Sequence, residues 1–357
     1  MIITPVHFPT LRIHQSPDED DPVDAPLTVP FASGTAALRA GLAACARQRG
    51  CGILRLLVPS YICREPMDAL AADGIALRYY PVRESLEPDW EALDAQAGDA
   101  DAFLLVHYFS YPNAAAQARA WCAARNIAFI EDCAHVMERG SGMGELGLFA
   151  CFSPWKFFPI PRLGTLVTED TAFASYVPDI PLARHRLRYA RWYGKRSVQR
   201  VLTAAGIRWY ARTTVDTPQA VAHEAMAADR DVLAHTRRYA SARTWIRQRR
   251  QENAQAIHSF VRGRRPDVLV RQSVPEGIAP YALPIIWPQP AADVVAVLRR
   301  RGIPATLWPT LPDVVRHDAR SFPVAHRYAA CCVLLPVHEH IRPRHLAYML
   351  RMLATVL

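Results

Sequence analysis

Apolar residues come in short runs separated by stretches in which they recur at helical spacing. Ile53 to Val58, Ala76 to Tyr80, Ala102 to Phe109 and Ile127 to Asp132 are compact apolar runs that read as strands. Between them, Arg64 to Asp73, Trp90 to Ala97 and Ala114 to Arg125 read as helices of about ten residues. Strands alternating with helices on this scale need crossover connections, so the sheet is expected to be largely parallel. Ahead of them, Ser33-Gly34-Thr35 leads directly into Ala36 to Ala44, a helix of small and apolar residues.

Leu146 to Ser153 and Gly164 to Thr168 add two more strands. Beyond Thr168 the chain turns helical and basic, and one long helix is expected through Val232 to Phe260. Tyr281 to Trp287, Ala291 to Arg301, Ala305 to Trp308, Val324 to Ala329, Val333 to Val337 and Pro343 to Leu357 then alternate strand and helix again. Residues 1–28 carry Pro5, Pro9, Pro17, Pro22 and Pro26 with the acidic run Asp18 to Asp21, and read as an irregular arm. The expected organisation is an arm at 1–28, a large α/β domain at 29–250 and a smaller α/β domain at 251–357.

At 357 residues the chain exceeds what one core usually supports, which agrees with a division into two domains. Hydrophobic residues at 51% and charged residues at 21% describe an ordinary globular protein. No apolar run approaches the roughly 18 residues of a spanning helix, and Met1 to His7 lacks the basic and apolar regions of a signal peptide. A cytoplasmic location without a membrane span is therefore expected. The eight cysteines form no Cys-x-x-Cys pair and lie mostly in apolar stretches, as reduced, buried thiols would. His338-Glu339-His340 lacks the spacing that sets two imidazoles on one helical face, and no metal site is assigned.

The net charge of +9 is concentrated between Arg184 and Arg212. There Arg186, Arg188, Arg191, Lys195, Arg196, Arg200 and Arg208 interleave with Trp192, Tyr193, Trp209 and Tyr210. Such a balance suits a phosphorylated small substrate or an anionic surface, or simply a solvated helical face. No nucleic-acid motif accompanies it, and no nucleic-acid partner is expected.

Chemistry is carried by two residues in sequence order. Asp132 closes the strand Ile127 to Glu131, and ligands of parallel sheets bind beyond the carboxyl ends of strands. Lys156 follows in the apolar, aromatic setting Phe152-Ser153-Pro154-Trp155-Lys156-Phe157-Phe158, where desolvation favours the neutral, nucleophilic amine. An acid to keep a pyridine nitrogen protonated and a lysine to hold the aldehyde are what pyridoxal 5'-phosphate needs. Ser33-Gly34-Thr35 at a helix start is either a phosphate-binding turn or a plain N-cap. Gly142-x-Gly144-x-x-Gly147 matches a dinucleotide fingerprint, but Leu148 to Phe152 after it reads as a strand where a helix is required.

The ordered set Ser33 to Leu38, Val58-Pro59-Ser60-Tyr61, His107 to Asn113, Ile130 to His135 and Phe152-Ser153-Pro154-x-Lys156 resembles the DegT-type, StrS-like sugar aminotransferases of fold type I. Arg249-Arg250-x-x-Asn253, Arg301-Gly302-Ile303 and Leu334 to His338 extend the resemblance over nearly the whole chain after residue 28. It implies that pyridoxal phosphate is bound covalently by Lys156, with Asp132 at the pyridine nitrogen and His135 at the phenolic oxygen. Gly34 and Thr35, with Ser33, would take the phosphate, Ser153 would assist, and Tyr61 would cover the ring, although many relatives place that side chain where Cys63 stands.

The implied reaction moves an amino group from an amino acid, glutamate foremost, to a nucleotide-linked keto sugar, in a homodimer. Another pyridoxal phosphate reaction on a non-sugar substrate, or a non-catalytic binding relative, is the alternative. The chain departs from the family at three places. Cys151 stands where relatives often have a phosphate-binding Ser, and Arg162-Leu163-Gly164 replaces a Gly-Gly pair. The Gly-Tyr-Asn segment of the family has no counterpart between Arg184 and Arg212.

Overall fold

A computed structural model of the chain describes residues 26–184, 186–204 and 226–357. Strands β1 (Leu27–Phe31), β2 (Arg55–Pro59), β3 (Ala76–Tyr80), β4 (Ala102–Val106), β5 (Ala128–Cys133), β6 (Phe149–Phe152) and β7 (Gly164–Thr168) form one sheet in the order β1-β7-β6-β5-β4-β2-β3. The pairs from β3 to β6 are all parallel, while β7 runs antiparallel to both β6 and β1. β4 is buried along its whole length, which is why its sequence is a continuous apolar run and not an alternating one.

Helices α1 (Gly34–Arg49), α2 (Arg64–Ala72), α3 (Trp90–Ala97) and α4 (Ala115–Ala123) connect these strands. The small residues of α1 have a packing reason. A Cβ at Gly41 would collide with the Phe149 ring of β6 and crowd Leu166 of β7, so the helix lies close on the sheet. After β7 come α5 (Thr171–Ala174), α6 (Arg186–Ala204), α7 (Arg230–Arg237) and α8 (Arg243–Arg262).

The second sheet is antiparallel in the order β8-β10-β9, from β8 (Ala282–Ile286), β9 (Thr306–Leu307) and β10 (Cys332–Pro336). Alternation along it divides two cores. Val333 and Leu335 join Ile257 and Val261 of α8, Val295 and Leu298 of α9 (Ala292–Arg300), and Met349 and Leu353 of α12 (Pro343–Leu353). Cys332 and Leu334 face the large core, near Val315 of α10 (Asp313–Arg316) and Tyr328 of α11 (Pro323–Cys331). A sheet apolar on both faces thus fastens the tail of the chain to the large sheet.

The helix expected over Val232 to Phe260 is instead two, α7 and α8. The Thr236 hydroxyl back-bonds to the Val232 carbonyl at 2.8 Å, and Tyr239 turns inward to stack on Phe158. That inward ring breaks the helical path just beyond α7. The boundary expected at 250/251 falls inside α8, where Ile246 and Ala254 belong to different cores.

The strand expected over Ala102 to Phe109 ends at Val106, because Phe109 (φ 59°) and Ser110 (φ 71°) are in the left-handed region. At the front, Leu27 and Thr28 are already strand, paired to Thr168 and Val167. The rest of the arm, 1–25, and residues 205–212 of the basic stretch lie outside the described residues.

Candidate active site

The carboxyl ends of β2, β4, β5 and β6 converge, and every candidate residue from the sequence sits there or at the start of α1. Ser33 caps α1, its hydroxyl accepting the Ala36 N–H at 3.1 Å. The N–H groups of Gly34 and Thr35 precede the first helical hydrogen bond and sit at the positive end of the helix dipole. A Cβ at Gly34 would collide with Ser153 Oγ, so the glycine lets the Ser153 hydroxyl reach the helix end. Gly164, at the start of β7, likewise lies against the Ser33 backbone. Ser33, Gly34, Thr35 and Ser153 are therefore brought together at the positive end of α1.

Asp132 lies near the end of β5, its Oδ1 accepting the Ala134 N–H at 2.8 Å. Burial pushes its carboxyl above the ordinary range, while that N–H and the Lys156 charge pull it back. Lys156 closes a short 3-10 turn, Pro154 to Lys156, that follows β6. Burial lowers the Lys156 amine below its ordinary value, and Asp132 pulls it up. The Nζ atom is 5.8 Å from the centre of the Tyr281 ring.

His135 is buried in an aromatic stack. Tyr281 lies parallel to it at 4.5 Å, Phe109 at 5.5 Å, and Trp308 stands edge-on at 4.9 Å. Its Nδ1 accepts the Phe109 N–H at 3.4 Å, which leaves the ring proton on Nε2. Burial, with Lys156 nearby, holds the imidazole well below its ordinary pKa, so it is neutral at pH 7. The Ser110 hydroxyl donates to the His135 carbonyl, so the left-handed pair 109–110 fixes both ends of this histidine.

Tyr61 does not have the open face expected of a ring cover. It is fully buried, its hydroxyl donates to the Trp308 carbonyl, and Tyr108, Trp308 and Tyr328 surround it. Cys63, two residues on, is the one electrostatically coupled to both Lys156 and Asp132. Tyr61 is a pillar of the wall, and the thiol of Cys63 borders the site. Cys151 pairs in register with Asp132, and burial holds its thiol far above its ordinary pKa.

Glu131, beside Asp132, points to the other face. It accepts the N–H groups of Gly144, Leu146 and Gly147 at 2.7–2.8 Å and pairs with His107 Nε2 at 2.7 Å. The glycine run thus wraps a carboxylate of its own chain, consistent with its failure as a nucleotide fingerprint. His107, Glu131 and Cys133 lie close enough to suggest a metal. Yet the His107 Nδ1 already accepts the Asn113 N–H at 3.1 Å, and Glu131 is saturated, so the cluster is structural.

Lys156 also lines a cavity of about 510 Å³. Its wall includes Trp155, Arg162, Tyr281, Arg250 and, from α6, Trp192 and Arg196. Arg250 is buried against Glu339 at 2.9 Å and lies over the Phe157 ring. The His338-Glu339-His340 triplet therefore supplies a salt-bridge partner. Tyr281, Phe109, Trp308 and the pair Arg250–Glu339 were not flagged as chemistry by the sequence. They come from distant parts of the chain, and the local signals were the aromatic-rich run His107 to Tyr111 around Phe109 and the Arg249-Arg250-x-x-Asn253 motif that contains Arg250.

No protein-family model matches the chain, and no curated protein matches it. Solved structures do match. A DegT DnrJ EryC1 StrS aminotransferase from Brucella abortus is 17% identical, with 93% of this chain and 86% of that one covered and a TM-score of 0.65. DesV of S. venezuelae, solved in complex with a ketimine intermediate, is 18% identical over 92% of this chain and 84% of its own, at TM-score 0.65. The E. coli GDP-4-keto-6-deoxy-D-mannose-3-dehydratase, with bound hydrated PLP, is 16% identical over 92% and 88%, at TM-score 0.66. The chain has the fold of these proteins, the fold type I architecture.

Proposed function

We propose that this chain is a pyridoxal 5'-phosphate-dependent aminotransferase that passes an amino group from an amino acid, glutamate foremost, to the carbonyl of a nucleotide-linked keto sugar. The observation that carries the reading is the meeting of Lys156 and Asp132 beside the start of α1. An amine with a lowered pKa, a buried acid and a helix N-terminus with free N–H groups suit the three ends of that cofactor. The Brucella neighbour, an aminotransferase, and the S. venezuelae neighbour, solved with a ketimine intermediate, support the aminotransfer part of this reading.

When bound, the cofactor supplies an electron sink for charge developing at the substrate carbon. Asp132 holds the proton of the pyridine nitrogen. Gly34, Thr35 and Ser153 hold the phosphate, with Ser33 fixing the turn. His135, proton on Nε2, donates to the phenolic oxygen. Lys156 would hold the cofactor, and its Nζ, when free and neutral, would take and return the proton of the substrate carbon. Phe109, Trp308 and Tyr281 keep the His135 side dry.

In this reading residues 29–250 carry the cofactor, 251–357 form the smaller domain, and the enzyme works as a homodimer in the cytoplasm. Among the described residues no helix is long and apolar enough to cross a membrane.

A second reading, another reaction of the same cofactor, is favoured by Arg162-Leu163-Gly164 after Lys156 and by the E. coli dehydratase among the structural neighbours. One experiment tests both. Purified protein supplied with pyridoxal phosphate should gain a visible absorption band, and borohydride should fix the cofactor to a peptide containing Lys156. Lys156→Ala should abolish that attachment, and glutamate should bleach the band of the wild type about a hundredfold or more faster than that of Asp132→Asn. A protein that takes up no cofactor overturns both readings. Cofactor uptake without bleaching by any amino acid leaves only the second.

A further inference from the structure

The cavity beside Lys156 has an unusual lining. Arg162, Arg196 and Arg250 give it three guanidinium cations beside the Lys156 amine, and no aspartate or glutamate is among its described lining residues. Arg250 is neutralised by Glu339, and Arg162 stands 4.0 Å from Glu65. Arg196 differs. It is half-buried in the wall, its guanidinium donates to the neutral amide of Gln199 at 2.9 Å, and burial lowers its pKa. A guanidinium partly withdrawn from water and matched, among the described residues, to an amide is poised to gain from an incoming anion.

Both peripheral arginines are mounted on indoles. Arg196 lies 5.6 Å from the Trp192 ring centre, one helical turn before it on α6, and Arg162 lies 5.9 Å from that of Trp155. Each pair offers fork-shaped donors next to a flat apolar surface. At about 510 Å³ the cavity holds far more than an amino acid needs. The ligand that uses all of this carries a multiply charged anion on a flat, partly apolar body.

We propose that Arg196 and Trp192 of α6, with Arg162 and Trp155, form the subsite for the diphosphate and base of the nucleotide-linked substrate. This rests on the function proposed above and names residues for it. The basic stretch from Arg184 is then, at least through Trp192 and Arg196, substrate wall and not merely a solvated face. The carboxylates of the amino donor are the competing anion, and the test separates the two sources.

Full-length protein loaded with pyridoxal phosphate is titrated calorimetrically with uridine, thymidine and guanosine diphosphates, with inorganic pyrophosphate, and separately with glutamate. At least one nucleotide should bind, and bind more tightly than pyrophosphate. Arg196→Gln should weaken it about tenfold or more, Arg196→Lys should recover part of the loss, and Trp192→Ala should weaken the nucleotide but not pyrophosphate. Bleaching of the cofactor band by glutamate should change less than about threefold in Arg196→Gln.

Equal nucleotide affinity in wild type and Arg196→Gln overturns the proposal. So does a variant that loses glutamate bleaching while no nucleotide binds, which would assign the anion site to the amino donor. Absence of the cofactor band is read separately and bears on the function; nucleotide binding can be measured without it.

Discussion

Asp132 shows how a single residue trades stability for function. Its folded-state pKa lies above the ordinary 3.8, so the native chain binds more protons than the unfolded one in the window just above that value. Stability falls as pH rises through the window, and at neutral pH the buried carboxylate is a standing cost. Asp132→Asn removes the charge and keeps an oxygen for the Ala134 N–H. The cofactor-free variant should melt about 2 °C above wild type at pH 7, with the gain fading towards acid pH in a thermal melt series. A variant that melts lower at every pH would contradict this account. The position of this acid near a strand's carboxyl end was legible in the sequence because it closes an apolar run. The cover proposed for Tyr61 was not, because the choice between Tyr61 and Cys63 depends on how the chain turns after β2, and the structure buries the ring.

At the scale of elements, the loop from Gly140 to Gly147 carries a Gly140–Met143 bridge of its own and is tied to the sheet by a side chain of β5. Glu131 collects three of its N–H groups and His107. Burial alone would raise the Glu131 pKa, but His107 and the Leu146 and Gly144 N–H groups outweigh it and lower it. The stability it contributes is therefore present above its unfolded pKa and lost as pH falls through the folded one. Glu131→Gln places an amide donor among donors, and should cost about 2–3 kcal/mol in urea unfolding, with faster amide exchange at Gly144 and Gly147. Unchanged exchange there would show that something else orders the loop. The glycine spacing could be read in the sequence and rejected as a fingerprint, but its acceptor could not be named, since β5 and the loop meet only on folding. The break between α7 and α8 escaped for a similar reason: helical spacing continues through Tyr239, and only the Phe158 ring across the core draws it inward.

For the molecule as a whole, apolar burial joins the two sheets, the surface pairs Arg64–Asp313 and Arg327–Glu84 span them, and one buried ionic pair lies between α8 and the tail. Arg250 of α8 reaches Glu339 beyond β10, donates to the Pro280 carbonyl at 3.2 Å, and covers Phe157 next to Lys156. The tail of the chain thereby holds the lysine turn of the large sheet. Arg250→Met strands the Glu339 carboxylate in the interior and should cost about 3–5 kcal/mol in urea unfolding, whereas Arg250→Met with Glu339→Leu should cost clearly less. Additive losses would mean that the pair does not act as a unit.

The sequence by itself determined the α/β class, the parallel strands, the helix start at Ser33 and the order in which Asp132, His135 and Lys156 appear. These follow from local spacing and from side-chain chemistry that a strand end or an apolar turn makes legible. The tertiary structure alone decided what surrounds them: the His135 stack, the inward Tyr61, the Glu131 cradle, and the placing of Trp192 and Arg196 in the cavity wall beside Lys156. A charged, amphipathic helix carries the same pattern whether its basic face meets water or a cavity, and only packing against the rest of the chain distinguishes the two.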